Sequence, residues 1–345
     1  MKGQNVMKKQ LKEISFLKTI MMLSVVLYHS CLFFKGSWFT YSSPVYDANY
    51  INVLSFWLNT FHIQTFTFAS GFIFFYLKSI GKYKDPKVDI KNRTKRLLLP
   101  LVFAEIFWII PFYIYYYGFN ISTIIKKFIL LESPSQLWFL PMLFLVFVFF
   151  YNFYNKINFS FKNIIFIYII TFIIGTILSR LNLNYFNICN AVRYSLYFYL
   201  GGYIHENKEI INNKYLYVIS IFAILIIGYL IFSQTRNIAI LKYIDMLVTP
   251  ILSCLEAILL YKMSDYIVNT KRVNLDNKIY ALLQENSFGI YLFHQQIIWI
   301  TITIFNGIVH PIIQCILSFI ISLVCSLIIS IVLKNIKVTK KCLGL

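Results

Sequence analysis

Apolar residues in this chain run in long blocks separated by short polar segments. About 20 apolar residues are enough for one helix to cross the hydrocarbon core of a bilayer. On that measure the pattern predicts ten spans, at roughly 14–34, 51–77, 97–117, 136–154, 162–179, 188–205, 214–232, 240–261, 286–305 and 309–333. Residues 121–131, ISTIIKKFILL, are too short to span and read as an interfacial amphipathic piece. The expected fold class is an all-α polytopic membrane protein with about ten transmembrane helices.

The segments between the blocks set the expected orientation. With the N-terminus in the cytoplasm, residues 1–13, 78–96, 155–162, 206–214, 262–285 and 334–345 hold 24 Lys and Arg, and the loops on the other side hold 6. Excess Lys and Arg mark cytoplasmic loops, so both termini are expected inside the cell. Only Lys18 and Arg193 are left within spans. No linker, repeat or low-complexity stretch divides the chain. Residues 1–345 therefore read as one membrane-embedded domain with a cytoplasmic N-tail (1–13), a basic cytoplasmic loop (78–96) and a C-tail (334–345).

Composition agrees. Hydrophobic residues make up 59% and charged residues 13%, about half of what a soluble domain uses to cover its surface. The net charge of +19 matches a nucleic-acid binder on its face, but no soluble stretch is long enough to be such a domain, and the positive-inside bias explains it. The N-terminal MKGQNVMKKQLKE and the apolar run after it have a signal-peptide flavour. That run continues to Phe34, too long for a signal, and is read as the first span. Six cysteines, Cys31, Cys189, Cys254, Cys315, Cys325 and Cys342, form no CxxC and mostly sit in apolar blocks, so no metal site is expected. The C-terminal Cys342-Leu343-Gly344-Leu345 has Gly at an aliphatic position of a prenylation box and is discounted. The abundance of Ile, Asn, Lys, Phe and Tyr is associated with AT-rich bacterial genomes.

Ionisable groups at membrane depth are costly unless paired or solvated, which makes each one a functional candidate. Lys18 and His29, in LKTIMMLSVVLYHS, are eleven residues apart. That is about three helical turns, so they share a face about 16 Å apart. Lys18 lies near a helix end and can snorkel; His29 lies too deep to do so. In KNRTKRLLLP, Arg93 and Arg96 are three apart and share a face if the third helix begins early, a pair suited to phosphate. On the bare residues, plain positive-inside charge is the favoured explanation. Ser70-Gly71 in FTFASGF reads first as a close helix contact. Trp138 in LWFLP reads first as an interfacial anchor. Tyr291 and His294, in SFGIYLFHQQ, are one turn apart and mid-membrane. His62, with Gln64 beside it, is a further candidate. Glu105, Arg193, Asp245 and Glu256 are the remaining charges from which a buried histidine can draw a partner. No GxSxG, GxGxxG, P-loop or HExxH is present. These residues suit an enzyme working across the bilayer on a phosphate-bearing donor, and they also suit a transporter with a polar pathway.

These pieces, in this order, resemble the transmembrane acyltransferase-3 family, whose members move acyl groups, usually acetyl, onto sugars of cell-surface glycans. The resemblance covers essentially the whole chain. It rests on Lys18 and His29 at the family's Arg-x10-His spacing, on FTFASGF with Ser70 and Gly71, on Arg93-x-x-Arg96 leading to Pro100, on LWFL with Trp138, and on SFGIYLFH with Ser287, Tyr291 and His294. Lys18 departs from the family's arginine; it keeps the charge but loses the bidentate fork.

The resemblance implies a bacterial cytoplasmic-membrane O-acyltransferase with acetyl-CoA as donor and no permanently bound cofactor. Its acceptor is implied to be a polysaccharide or lipid-linked glycan, with membrane lipid around the protein. Arg93 and Arg96 are implied to bind the phosphates of acyl-CoA. His29 is implied to act as general base or to take the acyl group itself; its orienting partner is left open, with Glu105 and Glu256 the carboxylates at hand. No extra hydrolase domain is seen, so the form expected is the minimal membrane-only one. Two alternatives stay open: a transporter or flippase of a lipid-linked glycan, and a non-catalytic partner of polysaccharide assembly.

Overall fold

A computed structural model describes residues 2–212, 239–270 and 273–343, together with Ile219, Phe222 and Gly228. The long helices are α1 (Lys2–Leu32), α2 (Asn49–Ser79), α3 (Pro86–Ala104) and α4 (Ile110–Tyr117). After the short α5 (Ile121–Ile124) come α6 (Phe139–Phe153), α7 (Phe161–Arg180) and α8 (Ile188–Glu206). The last are α9 (Ala239–Asn269), α10 (Lys278–Phe305), α11 (Pro311–Asn335) and the short α12 (Lys337–Cys342). There is no strand among the described residues.

Nine of the ten predicted spans coincide with helices, α3 and α4 forming one span, and the remaining one, 214–232, lies outside the described residues apart from Ile219, Phe222 and Gly228. Seven of the described helices are long and apolar enough to cross a membrane. The chain is therefore a multi-pass membrane protein. The two predicted spans below that mark are α2 and α8. They carry Asn, Gln, His and Arg because they run through the middle of the bundle, where α2 packs on α1, α8 and α9. Outer helices show the opposite pattern. In α7, Phe166, Ile169, Ile170, Ile173 and Ile174 are exposed, as lipid-facing side chains must be.

The segment read as a basic loop, 78–96, is largely helix. Asp85 caps α3 by accepting from the Lys87 backbone N–H at 2.9 Å, and Pro86 occupies the first turn, where its missing N–H costs nothing. The helix thus begins eleven residues ahead of the predicted span. Arg93 and Arg96 are carried on its regular part, and share a face as their spacing requires. Near its middle this rod passes through a single π turn, Glu105–Ile109, ahead of Pro111.

Two close contacts decide how the interior helices meet. A Cβ placed on Gly71 would lie 2.0 Å from the Phe198 carbonyl oxygen, and one on Gly201 would lie 2.1 Å from that of Phe68. Bare backbone is therefore required where α2 and α8 cross. On the other side of the bundle, Ser318, Ser322, Ser326 and Ser330 of α11 are all fully buried. Ser330 donates to Asn286 Oδ1 at 3.0 Å, and Thr301 donates to Ser318 Oγ at 2.8 Å. A Cβ on Gly289 would lie 2.1 Å from Ser330 Oγ. Small residues and short hydrogen bonds hold α10 tightly to α11 and so fix the helix that carries His294.

Gly71→Ala should destabilise the protein by about 1–3 kcal/mol, because the added methyl meets backbone on a facing helix that cannot yield like a side chain. Thermal unfolding in detergent checks this; an unchanged midpoint would refute the close-crossing account.

Candidate active site

Met22, Val25 and His29 follow Lys18 at helical spacing, so one stripe of α1 faces α2, α3 and α10. Lys18, Met22 and Val25 line a cavity of about 210 Å³ with Ser70, Tyr83, Arg93, Arg96, Ser287 and Tyr291. Lys18, Arg93 and Arg96, far apart in the chain, open into one space. Arg93 donates to the Tyr83 hydroxyl at 2.9 Å and lies over the Phe147 ring at 4.2 Å. Lys18 Nζ sits 4.7 Å above the Phe66 ring. Among the described residues no carboxylate lies within ion-pairing distance of these three cations. Lys18 and Arg93 are half-buried and Arg96 is exposed, while Asp89, one turn before Arg93, acts on it through its charge.

The other end of the stripe reaches the histidines. His29 lies one turn beyond Val25, His62 adjoins Ile63, and His294 lies three residues past Tyr291; all three neighbours line the cavity. His29 Nδ1 is 2.9 Å from His294 Nε2. His294 is fully buried, and its Nδ1 lies 2.9 Å from the Tyr291 carbonyl and 3.1 Å from that of Ile290. A carbonyl only accepts, so His294 Nδ1 carries the proton. In the neutral ring Nε2 is then bare, and His29 must donate to it through Nδ1–H. The chain of donors leaves the lone pair of His29 on Nε2, the ring edge away from His294. His29 is half-buried. The arrangement supplies a neutral histidine base held in one tautomer.

His62 donates its own Nδ1 proton to the Leu58 carbonyl, and its ring lies 4.7 Å from that of Tyr28, which in turn is 5.1 Å from His29. The expected carboxylate partner of His29 is thus replaced by a second histidine. Glu105 is buried in the π turn and Glu256 is buried in α9, and each keeps one carboxyl oxygen without a hydrogen bond. Arg193 donates to the Gly175 carbonyl of α7 at 3.2 Å, a packing role. Asp245 accepts from Thr249 at 2.6 Å one turn along its own helix.

Ser70 lines the cavity while donating to the Phe66 carbonyl at 2.9 Å, and its neighbour Gly71 serves the helix crossing. Trp138 packs inward, its ring 5.4 Å from Tyr194, so it is not a lipid-facing anchor. It ends a short 3-10 helix, Ser135–Trp138, that lies over α10 at the histidine turn. The approach to that helix is left-handed at Leu131 (φ 51°) and Ser135 (φ 53°). Asn187 and Asn184 side chains hold the strained stretch by donating to the carbonyls of Leu131 and Glu132 at 2.6 and 3.0 Å.

Several residues of this arrangement escaped the sequence reading. Gln136 donates to the Leu292 carbonyl at 2.8 Å and exchanges hydrogen bonds with Gln296; Gln295 donates to Ser135 Oγ at 2.7 Å. Tyr291 donates its hydroxyl to the Gln136 carbonyl, and Trp108 donates to that of Phe293 at 3.3 Å. The signal for the glutamines was present: two adjacent amides inside an apolar span need partners as ionisable groups do. Trp38 stacks on His29 from the loop after α1 and had no such signal.

Within the helix bundle an oriented histidine therefore stands beside a cation-lined cavity. The chain belongs to the acyltransferase-3 family: a family model described as an acyltransferase domain matches residues 11–334. No match was found among curated proteins or among solved structures. The protein is an acyltransferase, and the family points to a hydroxyl as acceptor.

His294→Ala should lower the acyl-transfer rate about 10²-fold, since His29 loses the acceptor that fixes its tautomer, while His294→Gln, whose carboxamide oxygen can accept the same hydrogen bond, should retain more. Turnover at saturating donor, with thermal stability matched, checks this; equal rates for both variants and the native protein would remove the tautomer role.

Proposed function

We propose that the protein is a bacterial cytoplasmic-membrane enzyme that transfers an acetyl group from acetyl-CoA to a sugar hydroxyl of a cell-surface polysaccharide or its lipid-linked precursor. The observation that carries this reading is the stripe on α1. Three cations with no carboxylate in direct contact gather at one end of it, and a half-buried, oriented histidine stands at the other. The distribution of Lys and Arg supports putting the cation end on the cytoplasmic side, where acyl-CoA is found.

In this reading Arg93, Arg96 and Lys18 hold donor phosphates, Arg93 with its guanidinium braced by Tyr83 and Phe147. The thioester arm runs along the apolar wall formed by Met22, Val25 and Ile63 toward the histidines. The acceptor oxygen attacks the thioester carbonyl carbon as His29 Nε2 takes the hydroxyl proton. A C–O bond forms and the C–S bond breaks. The proton passes to the departing thiolate, giving an ester and free thiol, and His29 returns to its neutral state. Lys18 supplies charge without a fork, so it serves as a point partner to phosphate, leaving bidentate binding to the arginines.

His29→Ala should abolish transfer without unfolding the protein. The test is proton NMR of O-acyl groups on the cell's surface polysaccharide, native gene against variant at matched membrane levels. A normal acyl signal from the variant would end the enzyme assignment to His29; unchanged acylation with polysaccharide failing to reach the surface on deletion of the gene would point to transport instead. Separately, Arg93→Ala and Arg96→Ala should each raise the donor KM by about 10- to 100-fold, the loss of one charged hydrogen bond. Steady-state kinetics at varied acetyl-CoA checks this, and a donor KM unmoved by both would take the phosphates elsewhere.

A further inference from the structure

The loop between α1 and α2 places an aromatic side chain directly on the histidine base. Trp38 stacks on His29 with ring centroids 5.6 Å apart and planes 21° from parallel. Behind it stands Trp299 of α10, edge-on to Trp38 at 6.4 Å, with Phe39 stacked against its other side at 5.4 Å. Tyr116 and Tyr117 close the group with their rings 5.8 and 6.0 Å from Trp299. Trp299 is 5% exposed and its Nε1–H has no hydrogen-bond partner. That N–H is itself enclosed by the surrounding rings, so Trp299 acts as a rigid backing for Trp38.

The loop is held as well as placed. Gly36 turns the chain at φ 74° just after α1. Val45 N–H donates to Asn306 Oδ1 at 3.2 Å, Asn306 Nδ2 donates to the Ser43 carbonyl at 2.9 Å, and the Tyr46 hydroxyl donates to the Gly307 carbonyl at 3.3 Å. It therefore spans the ends of the two helices that carry His29 and His294. An aromatic belt at a membrane surface explains exposed rings such as Tyr50 and Tyr115. It does not explain Trp38, which turns inward onto the base.

We propose that Trp38 is a positioning residue for the acceptor: with Trp299 it forms the aromatic platform against which the sugar ring rests at His29, and it keeps water from the thioester. The inference rests on the acyl-transfer reading above. The chemistry that fits is a pyranose, whose C–H face lies against a π surface. The platform sits at the end of the α1 stripe opposite the cation-lined cavity, so donor and acceptor approach His29 from different ends of the bundle.

The test uses the full-length protein in nanodiscs with acetyl-CoA as donor. The acceptor is the host cell's own surface polysaccharide, stripped of esters by mild base. Trp38→Leu, which fills the space without a π face, should raise the acceptor KM about tenfold and leave the donor KM within twofold. The share of thioester lost to water should rise. Trp38→Phe should stay within threefold of native on both. A Trp38→Leu protein with native acceptor KM, or with donor and acceptor KM raised alike, would overturn the platform. His29→Ala, run beside them, separates the two readings: if it is dead while Trp38→Leu is native-like, only the platform falls. If His29→Ala transfers normally, the assignment of the base falls and the platform with it.

Discussion

The hydrogen bond from His29 to His294 ties α1 to α10 at membrane depth, where water is scarce and each polar group must find its partner in the protein. Its direction is forced from outside the pair. Backbone carbonyls of Ile290 and Tyr291 take the Nδ1 proton of His294, and the remaining lone pair takes the proton of His29. A charged carboxylate in this place would have to be desolvated with its partner, at several kcal/mol. A neutral histidine pair gives orientation without that cost. Much of the surrounding structure holds the helix that makes this possible. The serine stripe of α11 grips α10 from one side, and Gln136, Tyr291 and the Gln296 amide fasten the Ser135–Trp138 turn to it from the other.

The site is electrostatically uneven along the bundle. At the Lys18 end, three cations line one cavity and repel one another. At the His29 end the groups are neutral and hydrogen-bonded, and the lining is aromatic. A substrate with a charged head and an acyl group on a neutral arm matches that gradient, since each part meets the environment in which it costs least to bury. The glycine crossing of α2 and α8 serves the same end, because it draws the helix bearing Ser70 and Ile63 deep enough to wall the cavity.

Span positions were legible in the sequence because the bilayer sets one length scale and hydropathy reports it. Two interior helices carry a weaker apolar signal than the rest. α2 and α8 read as spans yet fall below the apolar mark, since an interior helix can carry polar groups that others satisfy. The start of α3 was missed for a similar reason. Charge made 78–96 look like loop, while Asp85 and Pro86 start a helix that water and the cap stabilise.

By itself the sequence determined the class of protein, the family, and a short set of residues whose burial in a membrane needs a reason: Lys18, His29, Arg93, Arg96, Tyr291 and His294. Spacing on α1 also determined that Lys18 and His29 share a face. Only the tertiary structure decided which of them meet. It chose His294 over Glu105 and Glu256 as the partner of His29. It gathered the cations of α1 and α3 around one cavity and turned Trp38 onto the base. Those choices depend on contacts between residues as much as 265 positions apart, and on the tautomer that backbone carbonyls impose, neither of which leaves a local trace in the chain.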